Sequence, residues 1–337
     1  MNQLYPWQNE LWQRWITLRV RMPQALLLKG AEGVGKLNFA LNMAQSLLCG
    51  QPLNSTAACQ TCPACHWFTQ QSHPDFKLIQ PAAMTVAEGE KEKEGDKKPA
   101  RQITIEQIRS LTDFASLSAH QNGYRVVIIH PAEMMNNNSA NALLKILEEP
   151  PKQMLIMLIS HRPQRLLPTI RSRCLAFPMP LPSLEMAVGW LQQQKLATPM
   201  DFLAQTGFSP LLAMQLAENS QVHEQYHHFI GEISQPEKVD VYALSDYLKN
   251  TEPVKMIHWL QQWCYDLIGC KLTGKARYFH EQTDLINKLT AKVDIHRILQ
   301  YQSKLTIAKR EALHPLNPKL LYESILLAYQ QAMQSTT

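Results

Sequence analysis

The chain has 337 residues, 45 % apolar and 18 % charged, enough for two or three domains with sizeable cores. No apolar run approaches the roughly 18–20 residues of a membrane span, and the opening MNQLYPWQNELWQRW lacks the apolar stretch of a secretory signal, so a cytoplasmic protein is expected. The net charge of +5 permits contact with nucleic acid without demanding it.

Trp7, Trp12 and Trp15 share the N-terminal segment with Leu4, Leu11 and Ile16 and read as packing residues. Ala25-Leu26-Leu27-Leu28 reads as a short strand. Gly30-Ala31-Glu32-Gly33-Val34-Gly35-Lys36-Leu37 follows, and Leu37, Ala40, Leu41, Ala44, Leu47 and Leu48 then recur at helical spacing. Strand, glycine loop and helix form the setting of a phosphate-binding loop. Glycines let backbone N–H groups point inward, the helix N-terminus attracts anions, and a lysine reaches the terminal phosphates. Gly30, Gly33, Gly35 and Lys36 are therefore the candidate nucleotide-binding residues. The next position should supply a hydroxyl for Mg²⁺ and carries Leu37 instead, so the loop reads as degenerate, with weak or no nucleotide binding.

Four of the seven cysteines, Cys49, Cys59, Cys62 and Cys65, follow at C-x9-C-x2-C-x2-C. Without an export signal, such a cluster reads as metal binding rather than disulfides. Four thiolates suit tetrahedral Zn²⁺ and leave no open position for water, so one structural zinc per chain is expected, with His66 a bystander. Ser72-His73-Pro74-Asp75 reads as a turn before a strand at Phe76–Ile79; as a catalytic pair His73 and Asp75 would lack a nucleophile. Residues 81–100 are a low-complexity, charge-balanced run, expected to be a mobile loop with no site.

A helix is expected from Ile105 (Ile105, Ile108, Leu111, Phe114), then a buried strand at Val126–Ile129. Three asparagines and Ser139 offer N-cap chemistry. Ala140, Leu143, Leu144 and Leu147 mark one face of a helix that Pro150 and Pro151 stop, and Met154–Ile159 is a second apolar strand. Such a βαβ unit places ligands at the C-terminal ends of its strands. In ATPases the strand equivalent to Val126–Ile129 ends in carboxylates that hold Mg²⁺ and activate water. Here it ends in His130-Pro131, which do neither, and Glu133 lies beyond the strand end. Pro178, Pro180 and Pro182 mark a boundary. Leu184–Gln194 reads as a helix, and the turn Ala204–Pro210 precedes another (Leu212 to Leu216). Beyond Asn219 the chain reads as helical throughout, with Cys264 and Cys270 in its core and His223, His227 and His228 on an exposed face.

The run Asn138-Ser139-Ala140-Asn141-Ala142-Leu143-Leu144-Lys145-Ile146-Leu147-Glu148-Glu149-Pro150-Pro151, with Ser172-Arg173-Cys174 after it, resembles the clamp-loader AAA+ ATPases of the bacterial DNA polymerase III holoenzyme. The four-cysteine insert, the Ser-His-Pro-Asp turn and Asn317-Pro318-Lys319-Leu320-Leu321 are similar to the same family, and the likeness covers the chain apart from the charged loop. The resemblance implies an α/β AAA+ P-loop domain, a parallel sheet with helices on both faces, over 1–178, including the zinc insert (49–65) and the charged loop (81–100). A small helical lid domain (179–218) and an all-α collar domain (219–337) would follow. It implies a subunit that helps load the sliding clamp (beta) onto primer-template DNA, alongside motor (tau/gamma) and delta subunits, with no membrane role. Arg173 would be an arginine finger, reaching in trans to the ATP of a neighbouring motor subunit, and Ser160 would stand at the sensor 1 position.

Active members carry an arginine after the lid's glycine turn; Gly207-Phe208-Ser209-Pro210-Leu211-Leu212-Ala213 has none. The chain is thus expected to be no enzyme on its own, classed with DNA-directed DNA polymerases (nucleotidyltransferases) by complex membership, with zinc as its cofactor and a role for ATP in doubt. Two other readings stay open: an autonomous P-loop ATPase that binds and hydrolyses ATP through Lys36, and a zinc-containing nucleic-acid-binding module. From spacing alone, Arg171 and Arg173 read as surface cations or partners of local carboxylates.

Overall fold

The computed structural model describes residues 4–53, 57–85, 100–116, 123–312 and 317–334. Its backbone packs into two compact units, Met1–Trp190 and Leu191–Thr337.

The first unit is built on five parallel strands: β1 (Ala25–Lys29), β2 (Phe76–Ile79), β3 (Arg125–Ile129), β4 (Met154–Ser160) and β5 (Leu175–Pro178), in the order β2-β3-β4-β1-β5. Because successive side chains on a strand point to opposite faces, the apolar runs feed two cores. Leu26, Leu28, Val126, Ile128, Leu155 and Met157 face one side with Trp15, Phe39 and Met43. Ala25, Leu27, Val127, Ile129, Ile156 and Leu158 face the other with Ile108, Leu111, Leu143 and Ile170. The helices α1 (Asn9–Leu18) and α2 (Lys36–Leu48) supply the first cover, and α5 (Ile105–Ser116), α6 (Asn137–Glu148) and α7 (Pro168–Arg173) the second. This is the AAA+ α/β class expected from the sequence.

Two short helices, α3 (Pro63–Thr69) and α4 (Ala82–Thr85), flank β2, and α8 (Leu184–Gln193) follows β5. The segment at β5 reads in the sequence only as a proline-marked boundary, yet Leu26 to Lys29 pair with Leu175 to Pro178. The strand is four residues long and buries only Phe177, so it lacks the apolar run that exposes the inner strands. Helix α6 starts where the asparagines suggest: the Asn136 side chain accepts the Ser139 backbone N–H at 2.8 Å. Residues 86–99 of the expected charged loop lie outside the described residues.

The second unit is helical, as expected: α9 (Pro199–Gln205), α10 (Pro210–Ala217), α11 (Ser220–Ile233), α12 (Val241–Tyr247), α13 (Pro253–Thr273), α14 (Thr283–Lys292), α15 (Ile295–Glu311) and α16 (Pro318–Met333). Gly207 and Phe208 both have positive φ in the turn before α10. Asp240, Asp294 and Asn317 each cap the helix that follows with a side-chain oxygen. In the core, Trp263 Nε1 donates to the Tyr329 hydroxyl (2.9 Å), which donates to the Ile233 carbonyl (2.7 Å). Asp266, fully buried, accepts the backbone N–H groups of Arg277, Tyr278 and Phe279 at 2.9, 2.7 and 2.8 Å and so ties down the loop after α13. Cys264 and Cys270 are buried in the same core.

Candidate functional site

The glycine loop runs from the end of β1 into α2, and Gly33 and Gly35 have φ of 76° and 81°. Gly30 is set by a close approach: a Cβ there would meet the Met179 carbonyl oxygen at 2.0 Å. The loop is held by its own chain. The Lys36 ammonium donates to the carbonyls of Gly30 (2.9 Å) and Ala31. From the N-terminal segment, Trp7 Nε1 donates to the Val34 carbonyl (3.0 Å). The Gln8 side-chain amide donates to the carbonyls of Val34 (3.2 Å) and Gly35 (2.9 Å). Its amide oxygen accepts the Tyr5 N–H at 3.1 Å. Tyr5 stacks on Trp7 (4.9 Å between ring centroids), and Trp190 meets both edge-on at 5.6 and 5.4 Å. This clasp closes on the turn into α2, because a Cβ at Gly35 would lie 2.7 Å from both Gln8 and Tyr5.

The ends of β3 and β4 face Lys36. Glu133 accepts the backbone N–H groups of His161 (2.9 Å) and Arg162 (3.1 Å), so this oxygen is committed to the loop after β4. His130 packs edge-on against His161, with ring centroids 5.4 Å apart, and its Nδ1 lies 3.2 Å from the Gln80 amide nitrogen. Burial lowers the Lys36 pKa to about 8, with Glu133 and Glu32 pulling it back up. Burial and the nearby Lys36 charge lower both histidines to about 4, leaving them neutral at pH 7. Ser160 is fully buried, and its hydroxyl accepts the Arg162 N–H at 3.2 Å. The group is a set of neutral imidazoles, a self-bonded lysine and a carboxylate with one oxygen engaged and the other buried without a hydrogen bond, with Leu37 where a metal-binding hydroxyl would stand.

Arg173 lies away from this group, at the last position of α7. Its Nη2 donates to Glu148 Oε1 at 2.8 Å and its Nη1 to the Thr169 carbonyl at 3.1 Å. A local carboxylate partner therefore exists for Arg173, while Arg171 is exposed.

The structure brings Cys49, Cys59, Cys62 and Cys65 together, all four sulfurs within 4.8 Å of one another. The Sγ atoms of Cys49 and Cys59 are 3.5 Å apart, those of Cys49 and Cys62 3.9 Å, and those of Cys59 and Cys65 4.0 Å. A tetrahedron with Zn–S near 2.3 Å has edges of about 3.8 Å, so the donor set fits a zinc ion. Hydrogen bonds from the Thr61 backbone and hydroxyl pull the Cys59 thiol down to about 6, and backbone N–H groups of Cys59, Cys62 and Cys65 point at the sulfurs of Cys49, Cys59 and Cys62. His66 is exposed on α3 and stands outside the group. The seven cysteines form no disulfide.

His73 and Asp75 form a buried turn in which the Asp75 N–H donates to His73 Nδ1 at 3.1 Å. His223 stacks on Phe202 and bonds Gln205, and His227 and His228 are exposed. Among the described residues the four cysteines are the one group placed to hold a metal, and no helix is long and apolar enough to cross a membrane. The N-terminal clasp and the bonds from Glu133 to the β4 loop have no sequence signal, since their partners lie 26 to 29 residues apart.

A parallel sheet in this order, with a glycine loop after β1 and a helical unit following, defines a P-loop protein of the AAA+ class. Family profiles narrow this: one described as DNA polymerase III, delta subunit, matches residues 8–182, and one described as DNA polymerase III, delta subunit, C terminal, matches 220–331. The chain is 32 % identical to the DNA polymerase III subunit delta' of Pseudomonas aeruginosa, over 98 % of both chains. It is 26 % identical to that of Yersinia pestis (99 % of this chain, 97 % of the other) and 27 % identical to that of Escherichia coli (78 % and 76 %). The chain belongs to the delta-prime family of DNA polymerase III subunits.

Proposed function

We propose that the chain is a non-hydrolysing delta-prime subunit of a clamp loader. In this role it helps place the sliding clamp on primed DNA and lends Arg173 in trans to the ATP site of a neighbouring motor subunit. One observation carries the reading: the Lys36 ammonium is spent on the carbonyls of its own loop, whereas the Arg173 side chain is 36 % exposed. The first feature disfavours phosphate binding here; the second leaves an always-charged fork of donors open to a phosphoryl group elsewhere. His130 and His161, with pKa values lowered to about 4, are weak bases, and one Glu133 oxygen is spent on the loop after β4, which supports the same view.

The chain's partners would be tau/gamma motor subunits, the delta subunit and the beta clamp, with DNA reached through the assembly in the cytoplasm. Residues 179–218 would act as lid and 219–337 as collar. The chain would count among DNA-directed DNA polymerases only through its complex. Cys49, Cys59, Cys62 and Cys65 would hold one structural zinc, which cross-links the insert to the end of α2 and leaves no position for substrate. The competing reading, an autonomous ATPase working through Lys36, is tested by ATP turnover of the purified chain alone. No turnover above background is expected; turnover at a motor subunit's rate, abolished by Lys36→Ala, would overturn the proposal.

A further inference from the structure

The exposed guanidinium of Arg173 is held in place from two elements. Glu148, the last residue of α6, takes Nη2, and the Thr169 carbonyl, one turn earlier on α7, takes Nη1. A guanidinium carries five N–H donors. These two contacts use one donor on each terminal nitrogen and leave the others available to a second ligand. The pair lies on the surface, with side chains 36 % and 51 % exposed, where an ion pair adds little to stability. What it does restrict is the rotation of a long side chain, and restriction before binding reduces the entropy lost on docking.

We propose that Glu148 is a positioning residue for Arg173. Its carboxylate fixes the plane of the guanidinium so that the unused donors face outward toward a phosphoryl group on the neighbour. The proposal rests on the in-trans reading above. It also gives a use to the carboxylate that ends α6, in the motif just before Pro150-Pro151, which no feature of the chain's own nucleotide loop employs.

The test is ATP turnover of the complex reconstituted from full-length chains with clamp and primed DNA, comparing wild type, Glu148→Ala, Glu148→Gln, Arg173→Ala and the Glu148→Ala/Arg173→Ala double variant. Glu148→Ala is expected to lower kcat by about 2- to 5-fold, the scale of one exposed ion pair, with KM for ATP unchanged. Glu148→Gln, which keeps an acceptor oxygen, is expected to recover part of the loss. In the Arg173→Ala background, Glu148→Ala is expected to have no further effect, because its only route is through Arg173. Three outcomes overturn the proposal: faster turnover in Glu148→Ala, which would make the carboxylate a restraint; no change; or the same loss with and without Arg173, which would mean a folding role. Unchanged turnover in Arg173→Ala itself would instead sink the in-trans reading, so the two failures are separable.

Discussion

Replacing Lys36 by methionine keeps the unbranched stem and deletes the ammonium. Lys36 is 3 % exposed, and burial lowers its pKa from 10.5 to about 8. In the unfolded chain it returns to its ordinary value, about 10.4. Below pH 8 both states carry the charge, and the folded state bears the cost of burying it. Between about pH 8 and 10.5 the unfolded state binds more protons than the folded one, so the contribution of Lys36 to stability rises with pH. At about 1.4 kcal/mol per pH unit of separation, the whole rise is about 3 kcal/mol. Tyrosines and cysteines that titrate in the same window are present in both proteins and cancel in the comparison. Urea unfolding of wild type and Lys36→Met at intervals from pH 7.5 to 10.5 reads the difference directly. Wild type should gain on the variant by about 3 kcal/mol across the window. Parallel stability curves would show that Lys36 is not buried as a charge, and the picture of a lysine folded back into its own loop would fail.

Two further predictions concern the metal cluster and the helical core. Cys65→Ala should reduce zinc from about one ion per chain to none and make the insert at 49–65 sensitive to protease; a full zinc complement in the variant would contradict the four-sulfur site. Asp266→Ala leaves three backbone N–H groups without their acceptor, the one of Phe279 buried, and should cost about 2 kcal/mol or more in urea unfolding. A loss below about 1 kcal/mol would mean that the loop after α13 is held by other contacts.

How far the chain could be read depended on how local each feature is. Inner parallel strands are covered on both faces, so β3 and β4 stand out as unbroken apolar runs. The edge strand β5 buries one residue of four and reads as nothing more than prolines. Helix ends were legible where a cap or a proline marks them, as at Asn136 and Pro150. The short helix expected over Leu212 to Leu216 runs instead from Pro210 to Ala217, because proline is a good first helical residue. The glycine loop and the cysteine cluster are compact in sequence and were visible there. Other features join residues that only the sheet brings together: the Gln8 amide on the loop carbonyls, Glu133 on the N–H groups of His161 and Arg162, and Glu148 on Arg173, 25 residues on. Spacing offered Arg173 a local carboxylate but did not single out Glu148 or the other partners, since these are set by strand order and helix packing.

A chain that lends its chemistry to a neighbour's site should reveal it through one substitution in the assembled complex. Arg173→Ala should leave folding and metal content unchanged, yet abolish the share of DNA-stimulated ATP turnover contributed by the adjoining motor subunit, because a finger supplied in trans is worth about 10³–10⁵ in rate. Turnover equal to wild type in a fully assembled complex would mean that Arg173 serves no neighbouring ATP site.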